Sequence, residues 1–310
     1  MKKIIITPEN SNQRIDKFLV KEFFSYTRGE INRLIKDGKV KLNNQSPKLS
    51  YNLKESDLLT ILFPKNKKIY KLVANENIKI EVIYQDKNII VVNKPAGISV
   101  HPVRITDENA LVNGLISFFP EIKKIGDGSN NSELRPGLVH RLDKDTSGVM
   151  VVARSQKVFE ELKKLFQERK VSKEYLVLVQ GKLEHKSGKI DQSVARSKNY
   201  KKQIVANSKT KTKIREAVTE YEVLKEYNNF SLVLARPKTG RMHQVRIHMF
   251  SIGHPVAGDR MYQKKIFYEL KRPSRQMLHA QKIDFCLGKK AYSFFAPRPK
   301  DFSQFIKSLD

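Results

Sequence analysis

Residues 135–152 read Arg135-Pro136-Gly137-Leu138-Val139-His140-Arg141-Leu142-Asp143-Lys144-Asp145-Thr146-Ser147-Gly148-Val149-Met150-Val151-Val152. The closing run from Gly148 is apolar, β-branched and too short for a helix, so it reads as a buried strand. The residues before it are polar and charged, bracketed by Gly137 and Gly148, where tight backbone geometry is expected. A loop of reactive groups against a buried strand is a natural place for chemistry, because a rigid sheet positions it. The same strand signature recurs on either side: Ile80-Glu81-Val82-Ile83-Tyr84, Ile89-Ile90-Val91-Val92, Tyr175-Leu176-Val177-Leu178-Val179, Thr219-Glu220-Tyr221-Glu222-Val223 and Phe230-Ser231-Leu232-Val233-Leu234. One helix interrupts them, over 156–169, with Val158, Leu162, Leu165 and Phe166 in an apolar stripe. Strands outnumber helices and do not alternate with them. That pattern predicts an α+β domain over residues 78–310 whose large mixed, mainly antiparallel sheet is flanked by helices, rather than a doubly wound parallel sheet. Residues 196–215 are basic without a clear period, and no repeat is found.

Residues 12–64 form a separate small unit. Ile15, Phe18 and Leu19 share one face of a predicted helix over 14–23, and Ile31, Leu34 and Ile35 share one face of another over 28–37, which Gly38 is suited to end. Val40 and Leu42 open a strand, Asn43-Asn44 supplies a turn, and Leu58-Leu59-Thr60-Ile61-Leu62-Phe63 is a second extended run closed by Pro64. Residues 65–77, polar and basic with little periodicity, read as a linker.

Lys and Arg number 60 against 32 Asp and Glu, a formal charge of +28 spread along nearly the whole chain. A folded protein of that charge calls for a polyanion, and nucleic acid is the usual one, because cations on the protein displace counterions from the phosphate backbone. Cys286 is the only cysteine, so neither a disulfide framework nor a cysteine zinc cluster is available. The first residues, Met1-Lys2-Lys3-Ile4-Ile5-Ile6-Thr7-Pro8, are too briefly apolar for a signal peptide, and no stretch approaches a membrane span. A cytoplasmic monomer is expected.

Chemistry alone leaves Asp143 open. It could be a nucleophile or base, it could share a divalent metal with Asp145, or both could be turn residues held by local hydrogen bonds. Tyr175 could be an ordinary strand aromatic, and Arg246, between Val245 and Ile247, an outward strand residue. The histidines at 140, 243, 248, 254 and 279 follow no familiar ligand spacing, which points to structural roles and no metal. Lys94-Pro95-Ala96-Gly97 has no following Lys-Ser/Thr pair and is no phosphate-binding loop.

The run His140 to Gly148 resembles the active-site motif of the RluA-type pseudouridine synthases. Three further blocks occur in the family's order: Val91-Val92-Asn93-Lys94-Pro95-Ala96-Gly97 with His101-Pro102; Lys173-Glu174-Tyr175; and Thr239-Gly240-Arg241-Met242-His243-Gln244-Val245-Arg246-Ile247-His248 with Gly253-His254-Pro255 and Gly258-Asp259. Met242 departs from the small hydroxyl residue more usual there. Residues 12–64 are similar to the S4 RNA-binding module in Arg14-Ile15-Asp16-Lys17-Phe18-Leu19, Arg28 and Leu34 to Asn43, with Asn44 where a glycine is common. The resemblance implies an isomerase that turns specific uridines, most expectedly in 23S ribosomal RNA, into pseudouridine without cofactor or metal. Asp143 would act on the uridine, Tyr175 would stack on the uracil, Arg246 would pair with Asp143, and Arg141 would fill the space left by the flipped base. Arg28, Arg33 and Lys36 become candidates for RNA contact. The alternative is a non-catalytic RNA-binding or ribosome-assembly protein on the same fold.

Overall fold

In the computed structural model, residues 1–23, 26, 28–64, 72–102, 107–128, 132–198, 202–267 and 273–310 are described. The chain divides into two compact units, Met1–Lys71 with Asp127–Leu134, and Leu72–Gly126 with Arg135–Asp310.

The first unit contains β1 (Lys2–Ile5), α1 (Ile15–Glu22), α2 (Arg28–Lys36), β2 (Val40–Leu42) and β3 (Leu58–Ile61). Its three strands form an antiparallel sheet in the order β1-β3-β2. The apolar faces expected from helical spacing are the ones buried: Ile15, Phe18 and Leu19 from α1 meet Ile31, Leu34 and Ile35 from α2 over Val40, Leu59 and Ile61. Gly38, at φ 67°, ends α2, and the Lys39 amide returns to the Leu34 carbonyl at 2.9 Å. Asn43 and Asn44 both have positive φ, 47° and 66°. Asparagine tolerates that region, so the turn forms without a glycine. The Asn43 side chain braces it, accepting from Leu58 N at 2.8 Å and donating to Asp57 at 2.9 Å.

The second unit carries β4 (Glu81–Gln85), β5 (Ile89–Lys94), α3 (Leu111–Phe118), β6 (Ser147–Ala153), α4 (Gln156–Gln167), β7 (Ser172–Gln180), β8 (Ser187–Asp191), β9 (Val194–Arg196), β10 (Gln203–Val205), β11 (Val218–Glu226), β12 (Phe230–Pro237), α5 (Gln244–Ser251), β13 (Leu278–Leu287), β14 (Lys290–Phe295) and α6 (Lys300–Lys307). Nine strands form one sheet, ordered β4-β5-β6-β13-β7-β12-β11-β8, with β14 also paired to β13. Among the described residues only β6 and β13 run parallel, so the sheet is mixed and mainly antiparallel, as the strand pattern indicates. Within the basic stretch 196–215, β10 pairs with β9 as a two-stranded ribbon. Of the linker expected at 65–77, residues 65–71 lie outside the described residues. Residues 72–77 hold to α3: Asn113 donates to the Val73 carbonyl at 2.7 Å, and Asn75 N to the Asn113 carbonyl at 3.0 Å.

α3 carries no helical period in the sequence, because Leu111 to Ile116 are buried all round and leave no polar face to set one. The reading of Arg246 as an outward strand residue is overturned. It lies on α5, where Gln244 to Met249 are all buried, and the alternation of Val245, Ile247 and Met249 mimics a strand.

The sheet's centre explains the loop that precedes β6. Gly148 sits at φ 123°, and a Cβ there would lie 2.1 Å from the Ala280 carbonyl oxygen of β13. Only glycine permits this approach, so the residues just before Gly148 are delivered to the middle of the sheet.

Candidate active site

A cleft of about 710 Å³ opens over this point. The loop 139–146, α4, β7, the segment 237–243 and α5 line it. Among the described residues Asp143 is the only acid in its wall, whereas Arg141, Lys163, Arg169, Lys173, Arg196, Lys238 and Arg241 all contribute cations. Such a wall favours a polyanion.

The loop is fixed through its backbone. Lys94, fully buried at the end of β5, donates to the carbonyls of Pro95, Ile98 and Lys144 at 2.7, 2.9 and 2.9 Å. Burial lowers its pKa to about 7, yet three carbonyls match the three protons of an ammonium and favour the charged form. Arg275 donates to the Asp145 carbonyl at 3.2 Å while gripping Asp301 of α6 at 2.6 and 3.0 Å, and Gln276 donates to the Thr146 hydroxyl at 2.7 Å. His140 accepts from Val151 N at 2.9 Å and stacks on Phe166 at 4.7 Å. Burial, then the charge of Lys173, pushes the pKa of His140 down to about 3, so it is a neutral brace.

Asp143 is thereby presented with one oxygen engaged and one free. Oδ2 accepts from Arg246 Nη1 at 2.8 Å. Among the described residues Oδ1 has no hydrogen-bond partner; His243 Nε2 stands 3.9 Å from it. Arg246 is itself anchored from behind by Asp259, whose oxygens accept from Nε and Nη2 at 2.6 and 3.0 Å in a side-on pair. Asp259 is fully buried and also accepts from Met261 N and Tyr262 N. The Tyr262 ring covers the guanidinium at 5.3 Å. Burial alone would lower the pKa of Arg246; the bond and charge of Asp259, then the charge of Asp143, more than offset that and raise it. The arginine stays charged and holds the carboxylate of Asp143 oriented through Oδ2.

Tyr175 lies in the same cleft. Its cross-strand neighbours are Ala280 and Ala235, too small to fill the space beside the ring. Burial first, and the charge of Asp143 second, raise its phenol pKa, which keeps it protonated. Arg141 is exposed at the rim, with Nη1 3.4 Å from His101 Nε2. Burial and the charges of Arg135 and Arg141 lower the pKa of His101 to about 4, leaving a neutral ring nitrogen to accept from the arginine. The structure therefore brings Asp143, Arg246, Tyr175 and Arg141 together.

The candidates of the first unit differ among themselves. Arg28 donates to the buried Asp16 at 2.5 and 3.1 Å, alongside Arg14, so part of its role is structural. Arg33 and Lys36 are exposed on α2. Asp145 has an exposed side chain, and no cluster of three or more His, Cys, Asp or Glu suited to a metal occurs among the described residues.

Sequence reasoning gave no chemical role to Asp259, Lys94 or Lys173 and read His243 as structural. Asp259 and His243 lay inside quoted motifs, but nothing local says that an acid thirteen residues after an arginine is its partner. Lys173 lines the cleft, its ammonium without a hydrogen bond or ion pair among the described residues, and burial lowers its pKa to about 8.

One oriented carboxylate with a free oxygen, an aromatic ring in the same cleft and a basic wall around them suit a base carried by a nucleic acid. Residues 88–251 match the RNA pseudouridylate synthase family and residues 13–59 the S4 domain, and the chain belongs to that synthase family. It is 33% identical over 308 residues to an uncharacterized RNA pseudouridine synthase of Bacillus subtilis, covering 99% of this chain and 97% of the relative. It is likewise 33% identical to the ribosomal large subunit pseudouridine synthase D of Borreliella burgdorferi, covering 98% and 91%. The structure of human RNA pseudouridylate synthase domain containing 1 superposes with a TM-score of 0.60 at 27% identity, over 75% of this chain and 86% of that one. The protein is an RNA pseudouridine synthase, an isomerase whose partner is RNA. Among the described residues, no helix is long and apolar enough to cross a membrane.

Proposed function

We propose that this enzyme isomerises specific uridines of large-subunit ribosomal RNA in the cytoplasm, as a monomer, with Asp143 as its catalytic carboxylate. The observation that carries the assignment is the chain of contacts Asp259 to Arg246 to Asp143, which leaves one oxygen of Asp143 free beside Tyr175 in a cationic cleft. The names of relatives such as the Borreliella burgdorferi enzyme favour large-subunit ribosomal RNA as the substrate. Residues 12–64 serve as the RNA-binding module, with Arg28, Arg33 and Lys36 as its contacts, and residues 78–310 as the catalytic domain.

The reaction breaks the bond between ribose C1′ and uracil N1, turns the base and joins C1′ to C5. Asp143 acts either by attacking the ribose or by removing a ribose proton, and its paired arginine suits both. A stacked base is out of reach, so the uridine is extruded. Tyr175 offers the extruded uracil a stacking partner, a contact worth roughly 1–3 kcal/mol, and Arg141 occupies the gap left behind. Isomerisation is redox-neutral and consumes no water, so Asp143 needs no cofactor. The test is tritium release from ribosomal RNA transcribed with 5-tritiated uridine, because C5 loses its hydrogen when it bonds to ribose. Release by the wild-type protein and none by Asp143→Asn is the expected result.

A further inference from the structure

His243 is held in a way that a space-filling histidine does not need. It is a non-glycine residue at φ 54° directly before α5, and its ring forms part of the cleft wall. Its Nδ1 lies 3.1 Å from the Tyr262 hydroxyl. That hydroxyl is almost fully buried and already accepts from Gln203 N at 2.8 Å. Among the described residues, Nδ1 is the acceptor within reach of the hydroxyl's own proton. Tyr262 therefore donates to Nδ1, and the ring proton resides on Nε2. Burial lowers the pKa of His243, which keeps the ring in this neutral form. Nε2 has no hydrogen-bond partner among the described residues, and it stands 3.9 Å from the free oxygen of Asp143.

We propose that the Nε2–H of His243 is the donor that binds a carbonyl oxygen of the target uracil and takes up the negative charge the base acquires when its bond to ribose breaks. The inference rests on the uridine isomerisation proposed above. Whether Asp143 attacks C1′ or removes the C2′ proton, the electron pair of the C1′–N1 bond goes to the uracil, where it spreads over N1 and the ring oxygens. A pair from the same ring then forms the C1′–C5 bond as the C1′–Asp143 ester breaks and returns its pair to the carboxylate, or as Asp143 returns its proton to C2′; the C5 proton leaves to solvent and N1 takes one up, so nothing is oxidised or reduced. A preoriented N–H beside the base is stronger toward the detached anion than toward the neutral uracil, and that difference accelerates the step. The tyrosine behind the ring and the left-handed backbone fix the direction of this donor before substrate arrives.

Two variants separate the donor from the ring's packing. His243→Asn suits the positive φ and keeps an amide where Nδ1 stood, but it removes Nε2. His243→Gln places an amide nitrogen near the Nε2 position. On a short ribosomal RNA fragment carrying a mapped target uridine, His243→Asn is expected to lower the single-turnover rate on the order of 100-fold, with RNA affinity within about twofold of wild type. His243→Gln should regain most of the loss. Replacing the uracil O2 or O4 by sulfur, a poor acceptor, should slow wild type at one of the two positions and add nothing further in His243→Asn. His243→Gly, which also suits positive φ, replaces His243→Asn if that variant fails to fold. A rate near wild type in His243→Asn, no recovery in His243→Gln, or sulfur effects that multiply with the mutation at both positions would overturn the inference alone. Failure of the wild-type protein to form pseudouridine would overturn the functional reading and this inference together.

Discussion

Asp259→Asn is the change that most sharply probes how the site is built. Both oxygens of Asp259 accept from Arg246, at 2.6 and 3.0 Å, and the second also accepts from Met261 N and Tyr262 N. Every neighbour is a donor, so an amide must turn its NH2 against at least one N–H. The buried guanidinium is then left with Asp143 as its only carboxylate. Removing one partner of a buried pair costs about 3–5 kcal/mol, chiefly because a charge stays buried without its counterion. At roughly 2–4 °C per kcal/mol for a domain of this size, the melting temperature should fall on the order of 10 °C. Arg246 also loses its rear anchor, and a displacement near 1 Å costs about 100-fold in rate. Asp259 does not line the cleft, so RNA affinity should stay within about threefold of wild type. The assay pairs thermal unfolding with tritium release from 5-labelled RNA. A variant as stable and as active as wild type would show that Asp259 does not hold the Arg246–Asp143 pair in place.

Gly148→Ala places a methyl 2.1 Å from the Ala280 carbonyl oxygen at a φ of 123°, so β6 and β13 must separate. The expected cost exceeds ~4 kcal/mol, read as loss of soluble folded protein or of the unfolding transition; a variant within 1 kcal/mol of wild type, on the order of ordinary surface changes, would contradict the crossing described. Acid should weaken the fold before the carboxylates titrate. His140 and His101 have pKa values lowered by burial to about 3 and about 4, against 6.5 for a free histidine. The folded chain keeps both neutral while the unfolded chain protonates them, so stability is full above about pH 6.5 and falls as pH drops toward 4. The slope approaches ~1.4 kcal/mol per pH unit for each histidine. Urea midpoints measured from pH 7 to 4.5 should show this decline, and His140→Gln should flatten it by about one proton; a midpoint independent of pH over that range would refute it.

Much of this architecture was legible because the residues concerned carry a period. α1, α2 and α4 each set apolar side chains against water on the other face, and the burial follows that spacing. β6 and β7 read as unbroken apolar runs because they lie in the middle of a covered sheet. α3 and α5 were hidden for the converse reason: buried on every side, they lack a polar face, and α5 even alternates like a strand. β13 carries no clear strand signature because Gln281, Lys282 and Asp284 interrupt it, although Ile283, Phe285 and Leu287 alternate with them toward the core. At the site, the loop around Asp143 stood out by its density of polar groups before a strand, and family resemblance joined it to Tyr175 and Arg246. What no local pattern could supply were the contacts made at a distance. Lys94 reaches the Lys144 carbonyl across fifty residues, and the orientation of His243 depends on Tyr262 and, through it, on Gln203.

We propose that Asp143 drives metal-free isomerisation of uridine in RNA. It is tested most directly by incubating wild-type protein and Asp143→Asn, with chelator present, with large-subunit ribosomal RNA transcribed from 5-tritiated uridine. Tritium release and pseudouridine at discrete positions with wild type, and neither with Asp143→Asn despite RNA binding within about threefold, is the predicted result, since an isosteric amide leaves the basic cleft intact. Release by Asp143→Asn at the wild-type rate, or no pseudouridine from the wild-type protein, would contradict it.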